Sequence, residues 1–267
     1  MMRVKGLTLD VRADLNDRPA LLLMHGLLSS RHQWLLNQET LRSKYRLVLV
    51  ELPGHGQAAP CTDLARLQPD ALADDLDRAR QILGIRRWHI CGQSFAAGIT
   101  LRHALRHPEA VAAQIWTNSN RVLSELPDAT GVASIEARSR AIEKEGREAL
   151  RREPFHPLFG RRFPADIRER LVADADGSDL GTIAALLRHT LPALPMRAAF
   201  ARISVPTLLV NGRLESQFQP VRQLAAQLLP ELEVADLPGG HAINIEKPEL
   251  FDETALEFLG RHDHRLG

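Results

Sequence analysis

Gly92-Gln93-Ser94-Phe95-Ala96-Ala97-Gly98 follows directly on the short apolar run 88–91 and leads straight into a stretch of helical period, 99–107. A serine between small residues, on a tight strand-to-helix turn, is pushed out at the edge of a sheet where its hydroxyl can attack. Small neighbours are needed because such a turn holds the serine in strained backbone geometry, at about 1–3 kcal/mol, and bulk two residues away on either side would crowd it. The same seven residues also suit a plain turn whose serine only caps the helix. The surroundings have to decide.

Outward from this turn, short runs rich in Val, Leu and Ile recur at 20–24, 46–50, 88–91, 111–116, 207–210 and 233–237. They alternate with longer segments of helical period, which argues for an α/β fold with a mainly parallel sheet flanked by helices. Between the second and third runs, Leu72, Leu76, Ala79 and Leu83 share one helix face, and that face should pack on the sheet. The last helix opens with Pro248, carries Phe251, Ala255, Phe258 and Leu259 inward, and is expected to stop at Gly260. Residues 121–202 break the rhythm: they hold charged amphipathic stretches such as 134–152 and 180–190 but no strand-like run. They read as a helical cap inserted into a core formed by 1–120 and 203–267.

Composition narrows the class. With 267 residues, 44% hydrophobic and 25% charged, the chain can bury a sizeable core, and disorder or a fibrous fold is excluded. Set against each other, 34 basic and 33 acidic residues leave a net charge of +1, too weak a field to suggest a nucleic-acid or membrane partner. Only Lys5, Lys44, Lys144 and Lys247 are lysines, so 30 of the 34 basic residues are Arg. Cys61 and Cys91 form no disulfide framework and sit at no metal-ligand spacing, which fits a reducing compartment. The first ten residues lack the apolar stretch of a secretory signal, and no window approaches the roughly 18 apolar residues of a membrane span, so a cytoplasmic location is expected. The oligomeric state is left open.

Four motifs in order give the chain a family likeness over nearly its whole length. His25-Gly26-Leu27-Leu28-Ser29-Ser30 follows the first core run; Glu51-Leu52-Pro53-Gly54-His55-Gly56 follows the second; then comes the Ser94 turn, and Gly239-Gly240-His241 precedes the last helix. The chain resembles an α/β-hydrolase, whose oxyanion loop, Asp-Leu-Pro-Gly-His-Gly turn, nucleophile elbow and catalytic histidine occur in this order. The resemblance implies a sheet of about eight strands. Departures are mild: Ala96 stands where the elbow's last Gly is usual, Glu51 replaces Asp, and Gln57-Ala58 stand where a Ser is common. None removes a catalytic group.

A serine hydroxyl needs a base within hydrogen-bond reach, itself oriented by an acceptor that stabilises the imidazolium. Of the eleven histidines, His103 and His107 lie on the helix after the elbow, His262 and His264 lie in the tail, and His25 and His55 match positions that shape loops. His241, on the Gly-Gly turn before the last helix, stands at the position where the resemblance implies the base. The acid is expected after the run 207–210, where Glu215 is the only carboxylate between Gly212 and Glu231. The alternative place, after 111–116, offers Asn118 and Asn120 and no carboxylate before Glu125. The expected parts are therefore Ser94, His241 and Glu215, with the backbone N–H groups of Leu27 and Phe95 as the oxyanion hole. No metal or organic cofactor is called for.

Within the family, a serine nucleophile argues against dehalogenase and epoxide-hydrolase chemistry, which use a carboxylate there. Leu27-Leu28-Ser29-Ser30 differs from the Gly-Pro-Gly-Ala of carbon-carbon hydrolases. The segments 51–56 and 212–218 are also similar to menaquinone-pathway synthases that eliminate pyruvate, but those place an Arg four residues after the serine, where this chain has Gly98. A small-molecule acyl substrate, ester or thioester, is the expectation; a ligand receptor on the same fold is the non-enzymatic rival. Leu28, Gln93, Trp116, Asn118, Asn120, Phe155, Leu158, Phe159 and Phe163 are the candidate pocket residues. The pairs Arg151-Arg152 and Arg161-Arg162 invite an acidic-substrate reading, but 121–202 holds 14 basic and 12 acidic residues, so a solvated, ion-paired face is expected.

Overall fold

The structure, a computed structural model, describes residues 1–11 and 18–266. Eight strands form one sheet: β1 (Met2–Val4), β2 (Leu7–Val11), β3 (Ala20–Met24), β4 (Arg46–Glu51), β5 (Trp88–Gly92), β6 (Val111–Thr117), β7 (Thr207–Gly212) and β8 (Glu233–Leu237). Their spatial order is β1-β2-β4-β3-β5-β6-β7-β8. From β4 to β8 every pairing is parallel, while β1 and β2 add an antiparallel hairpin at one edge.

The strands alternate sides with period two, as a pleated chain must. Leu22, Met24, Val48, Val50 and Ile90 face one core, in which Leu72, Leu76, Ala79 and Ile99 from the helices Pro69–Ile82 and Phe95–Arg106 pack. Leu21, Leu23, Leu47, Leu49 and Cys91 face the other, against Trp34, Phe251, Ala255, Phe258 and Leu259. Both faces are thus covered, which is why the central strands read as continuous apolar runs. The last helix runs Pro248–Arg261, one residue past the expected stop, because Gly260 keeps a helical backbone and the cap falls on His262.

Between β6 and β7 the chain carries only helices among the described residues, the longest being Ala129–Glu145 and Ala165–Asp176. The single expected stretch 134–152 is two helices, broken at Gly146, whose φ of 68° ends the first and starts Arg147–Arg151. The stretch 180–190 begins as the helix Leu180–Ala185 and widens into a π turn over Leu186–Thr190. No helix among the described residues is long and apolar enough to cross a membrane.

Candidate active site

β5 delivers Ser94. Its backbone sits at φ 52°, ψ −113°, immediately before the helix Phe95–Arg106, an outlier for a residue with a Cβ and the strained conformation that the small neighbours suggested. Gly92 is required there: a Cβ would lie 2.2 Å from Thr100 Oγ1 and 2.9 Å from the Ala96 carbonyl oxygen. Ala96, in place of the usual Gly, fits fully buried in the core.

The loops after β7 and β8 bring the other two groups to the serine. His241 Nε2 lies 2.7 Å from Ser94 Oγ, and His241 Nδ1 lies 2.9 Å from Glu215 Oε2. The carboxylate is further held by Asn118 Nδ2, which donates to Oε2 at 2.7 Å, and by Asn120 Nδ2, which donates to Oε1 at 2.9 Å. Burial alone would raise the Glu215 carboxyl, but the bonds from His241, Asn118 and Asn120 and the histidine's charge outweigh it and hold it below its ordinary value. Glu215 is therefore a carboxylate at neutral pH. Asn118 also donates to the Gly212 carbonyl at 3.0 Å and accepts from Gly212 N at 2.8 Å, tying the Glu215 loop to the end of β6.

Two buried histidines lock the loop ahead of the serine. His25 Nε2 accepts from Leu52 N and His55 Nε2 accepts from Leu28 N, both at 3.1 Å, while their Nδ1 atoms face the carbonyls of Gly26 and Pro53. An imidazole that accepts at Nε2 and donates at Nδ1 is neutral and in one tautomer. Burial agrees, pushing His25 down to about 3 and His55 down to about 4. Leu28, buried and at φ 54°, makes the sharp bend of this loop. Among the described residues the backbone N–H groups of Leu27 and Phe95 have no hydrogen-bond acceptor in the chain. A buried amide network stands behind them. Gln33 Nε2 donates to Asn244 Oδ1 at 3.1 Å, Asn244 Nδ2 to the Gln33 carbonyl at 2.8 Å, and Asn37 Nδ2 to Asp252 Oδ1 at 2.9 Å. It joins the histidine's loop to the loop after β3.

These groups open on a cavity of about 610 Å³, a small-molecule size. Of the candidate pocket residues, Leu28, Gln93, Phe155, Phe159, Phe163 and Asn120 line it. Trp116 does not. It is fully buried in the core, edge-on to Phe200 at 5.9 Å and to Phe218 at 6.0 Å. Asn118 is also spent elsewhere, on Glu215 and Gly212, and Leu158 lies outside the cavity wall. Arg151 pairs with Asp176 and Arg152 with Glu145 on the surface, whereas Arg161 and Arg162, joined by Arg121, line the cavity. His103, accepting from Trp88 Nε1 at 3.1 Å, is a structural imidazole. Among the described residues no three His, Cys, Asp or Glu side chains converge as a metal site.

A family model described as alpha/beta hydrolase fold matches residues 19–248. The chain belongs to the α/β-hydrolase fold family. It is an enzyme of that family, and its relatives include hydrolases and esterases. A protein of Pseudomonas savastanoi pv. phaseolicola, provisionally named carbamate hydrolase RutD, is 29% identical over 91% of this chain and 94% of its own length. Carboxylesterase YbfK of Bacillus subtilis is 24% identical over 91% of this chain and 81% of its own. Among solved structures, MenH from S. aureus superposes with a TM-score of 0.82 at 20% identity, covering 96% of this α/β-hydrolase and 98% of that chain.

Proposed function

We propose that this α/β-hydrolase cleaves a carboxylic ester or thioester of a small to medium substrate through Ser94, His241 and Glu215, by way of an acyl-enzyme. The observation that carries the reading is the unbroken line Ser94 Oγ, His241 Nε2, His241 Nδ1, Glu215 Oε2, with spacings of 2.7 and 2.9 Å, at the floor of the cavity. In this reading Ser94 Oγ attacks the acyl carbonyl while His241 Nε2 takes its proton, and Glu215 stabilises the imidazolium without itself being protonated. The oxyanion is received by the N–H groups of Leu27 and Phe95. His241 then protonates the leaving group, and a water deprotonated by the same nitrogen releases the acid. Segment 121–202 acts as a cap that shapes the substrate side.

Pyruvate elimination is disfavoured by position 98. Gly98 carries no side chain to supply the guanidinium that those synthases use there, and Leu194 Cδ2 stands 2.7 Å from where its Cβ would be. Ser94→Ala should abolish both turnover of short-chain 4-nitrophenyl esters and labelling by a fluorophosphonate. Labelling of the alanine protein would end the assignment. Ester turnover by the intact protein no faster than by Ser94→Ala would instead support a receptor. A panel of esters and thioesters run beside the pyruvate-eliminating assay separates hydrolase from lyase.

A further inference from the structure

The cavity wall holds a half-buried arginine that the chain leaves unpaired. Arg121, half-buried at the end of the loop after β6, has no hydrogen bond or ion pair to its guanidinium among the described residues. The nearby acid, Glu153, is committed to Arg138, whose Nε lies 3.1 and 3.2 Å from the two Glu153 oxygens. Arg138 in turn lies over the Phe155 ring, 5.5 Å from its centroid. Burial first, and then the like charge of Arg138, work against the Arg121 cation and hold it below its ordinary value. Arg161 lines the same cavity but is exposed, so water can serve its guanidinium. Arg162 lies 3.8 Å from Glu246.

The carboxylates in the wall are both occupied. Glu215 is bound by His241, Asn118 and Asn120, and Glu246 accepts from Gly240 N at 2.7 Å and faces Arg162. Arg121 is therefore the half-buried cation of this wall that the chain leaves without a counter-charge, in a cavity also lined by Phe155, Phe159 and Leu194. A solvated surface arginine needs no partner, but one that is half-buried in a cavity and next to another cation gains from an incoming anion. Its planar fork of donors matches a carboxylate.

We propose that the substrate is an ester with an apolar body and a free carboxylate, and that Arg121 is the site that holds this carboxylate. The inference rests on the ester-hydrolase reading for the nature of the scissile bond, but the anion site stands on its own geometry. Recognition by charge supplies a selectivity that the apolar wall cannot, since a neutral ester of equal size would leave the Arg121 guanidinium unpaired.

The test uses the half-ester mono-4-nitrophenyl glutarate and its neutral methyl-capped counterpart. Binding is measured by calorimetry on the Ser94→Ala protein, which needs no turnover, and kcat/KM on the intact protein. The half-ester should bind at least tenfold more tightly than the capped ester. Arg121→Gln should cut that ratio by about 10–100-fold, the worth of a charge-assisted hydrogen-bonded pair. Arg121→Lys, which keeps the charge and loses the fork, should fall between. Arg152→Gln, paired with Glu145 on the surface, should change neither probe. Using the ratio of the two probes corrects for any general loss of folded protein. Equal binding of the two probes, failure of the half-ester to bind at millimolar concentration, or a ratio unmoved by both Arg121 variants overturns the proposal. If the capped ester is still turned over in a Ser94-dependent way, that failure leaves the hydrolase reading intact. Charge-selective, Arg121-dependent binding without any ester turnover would uphold the anion site and remove the hydrolase reading.

Discussion

Replacing Glu215 by Gln tests the catalytic line at its least obvious member. All three partners of the carboxylate donate: His241 Nδ1 and Asn118 Nδ2 to one oxygen at 2.9 and 2.7 Å, Asn120 Nδ2 to the other at 2.9 Å. A glutamine offers one acceptor and one donor, so whichever way its amide turns, an NH₂ meets another donor. Turned towards Asn120, it breaks one charge-assisted bond, worth about 1.5–3 kcal/mol. Turned towards His241, it can be satisfied only if the imidazole moves its proton to Nε2, and no atom then remains to accept the serine's proton. Either way the imidazolium forms without its counter-charge. Replacing the acid by its amide in a Ser-His-acid site costs about 10⁴ in kcat, or about 5.4 kcal/mol at 1.36 kcal/mol per decade. The expected result for Glu215→Gln is thus a fall of about 10⁴ in kcat for 4-nitrophenyl butyrate, with KM changed by less than about threefold. Glu215→Asp keeps the charge but is too short to hold all three donors, and should lose about 10–100-fold. A Glu215→Gln enzyme within tenfold of the parent kcat would refute the role given to this residue.

Other expectations follow from the surroundings of the site. Asp252, buried beside Asn37, is pushed up to about 7 by burial from an ordinary 3.8. Its contribution to stability is present in full below pH 3.8 and is lost as pH rises through about 7. Asp252→Asn should therefore flatten the pH dependence of Tm across that window and stabilise the protein at pH 8 by on the order of 2–4 kcal/mol; identical profiles would show that the carboxyl ionises freely. His55→Ala removes the acceptor of the buried Leu28 N–H and should cost about 1–3 kcal/mol in a urea titration as well as lowering kcat. Trp116→Phe deletes an indole N–H that has no partner, and should leave KM unchanged for every ester in a chain-length series. A shift in chain-length preference would return Trp116 to the pocket.

Much of this was legible in the sequence because the chemistry occupies backbone positions with few permitted residues. The strained serine needs Gly92 behind it, and His241 follows a Gly-Gly turn at the end of a strand. Glu215 stood out by scarcity. The carboxylate clamp was less visible. Asn118 and Asn120 lie where the family could also place its acid, and there they read as pocket residues. The missing question was what would satisfy a buried carboxylate. Trp116 was misread because a central strand of a doubly covered sheet is buried on both sides, so alternation cannot tell core from pocket. The arginine pairs fit the solvated, ion-paired face expected of them: Arg151, Arg152, Arg161 and Arg162 are exposed, and Arg162 lies 3.8 Å from Glu246; a near-neutral sum over 121–202 could not single out half-buried Arg121. The hairpin β1–β2 escaped the apolar-run search because its strands are short and carry Arg3, Thr8 and Asp10.

The crossed histidines set a rule for exchanging parts of this enzyme. Each imidazole belongs to one loop and caps the backbone of the other, so neither segment 25–30 nor segment 51–56 carries a complete set of hydrogen bonds alone. A graft of only one of them from a relative would strand a buried amide on the recipient loop unless the donor matched both histidines. The two segments, 27 residues apart at each contact, are one heritable unit, to be swapped together or left alone.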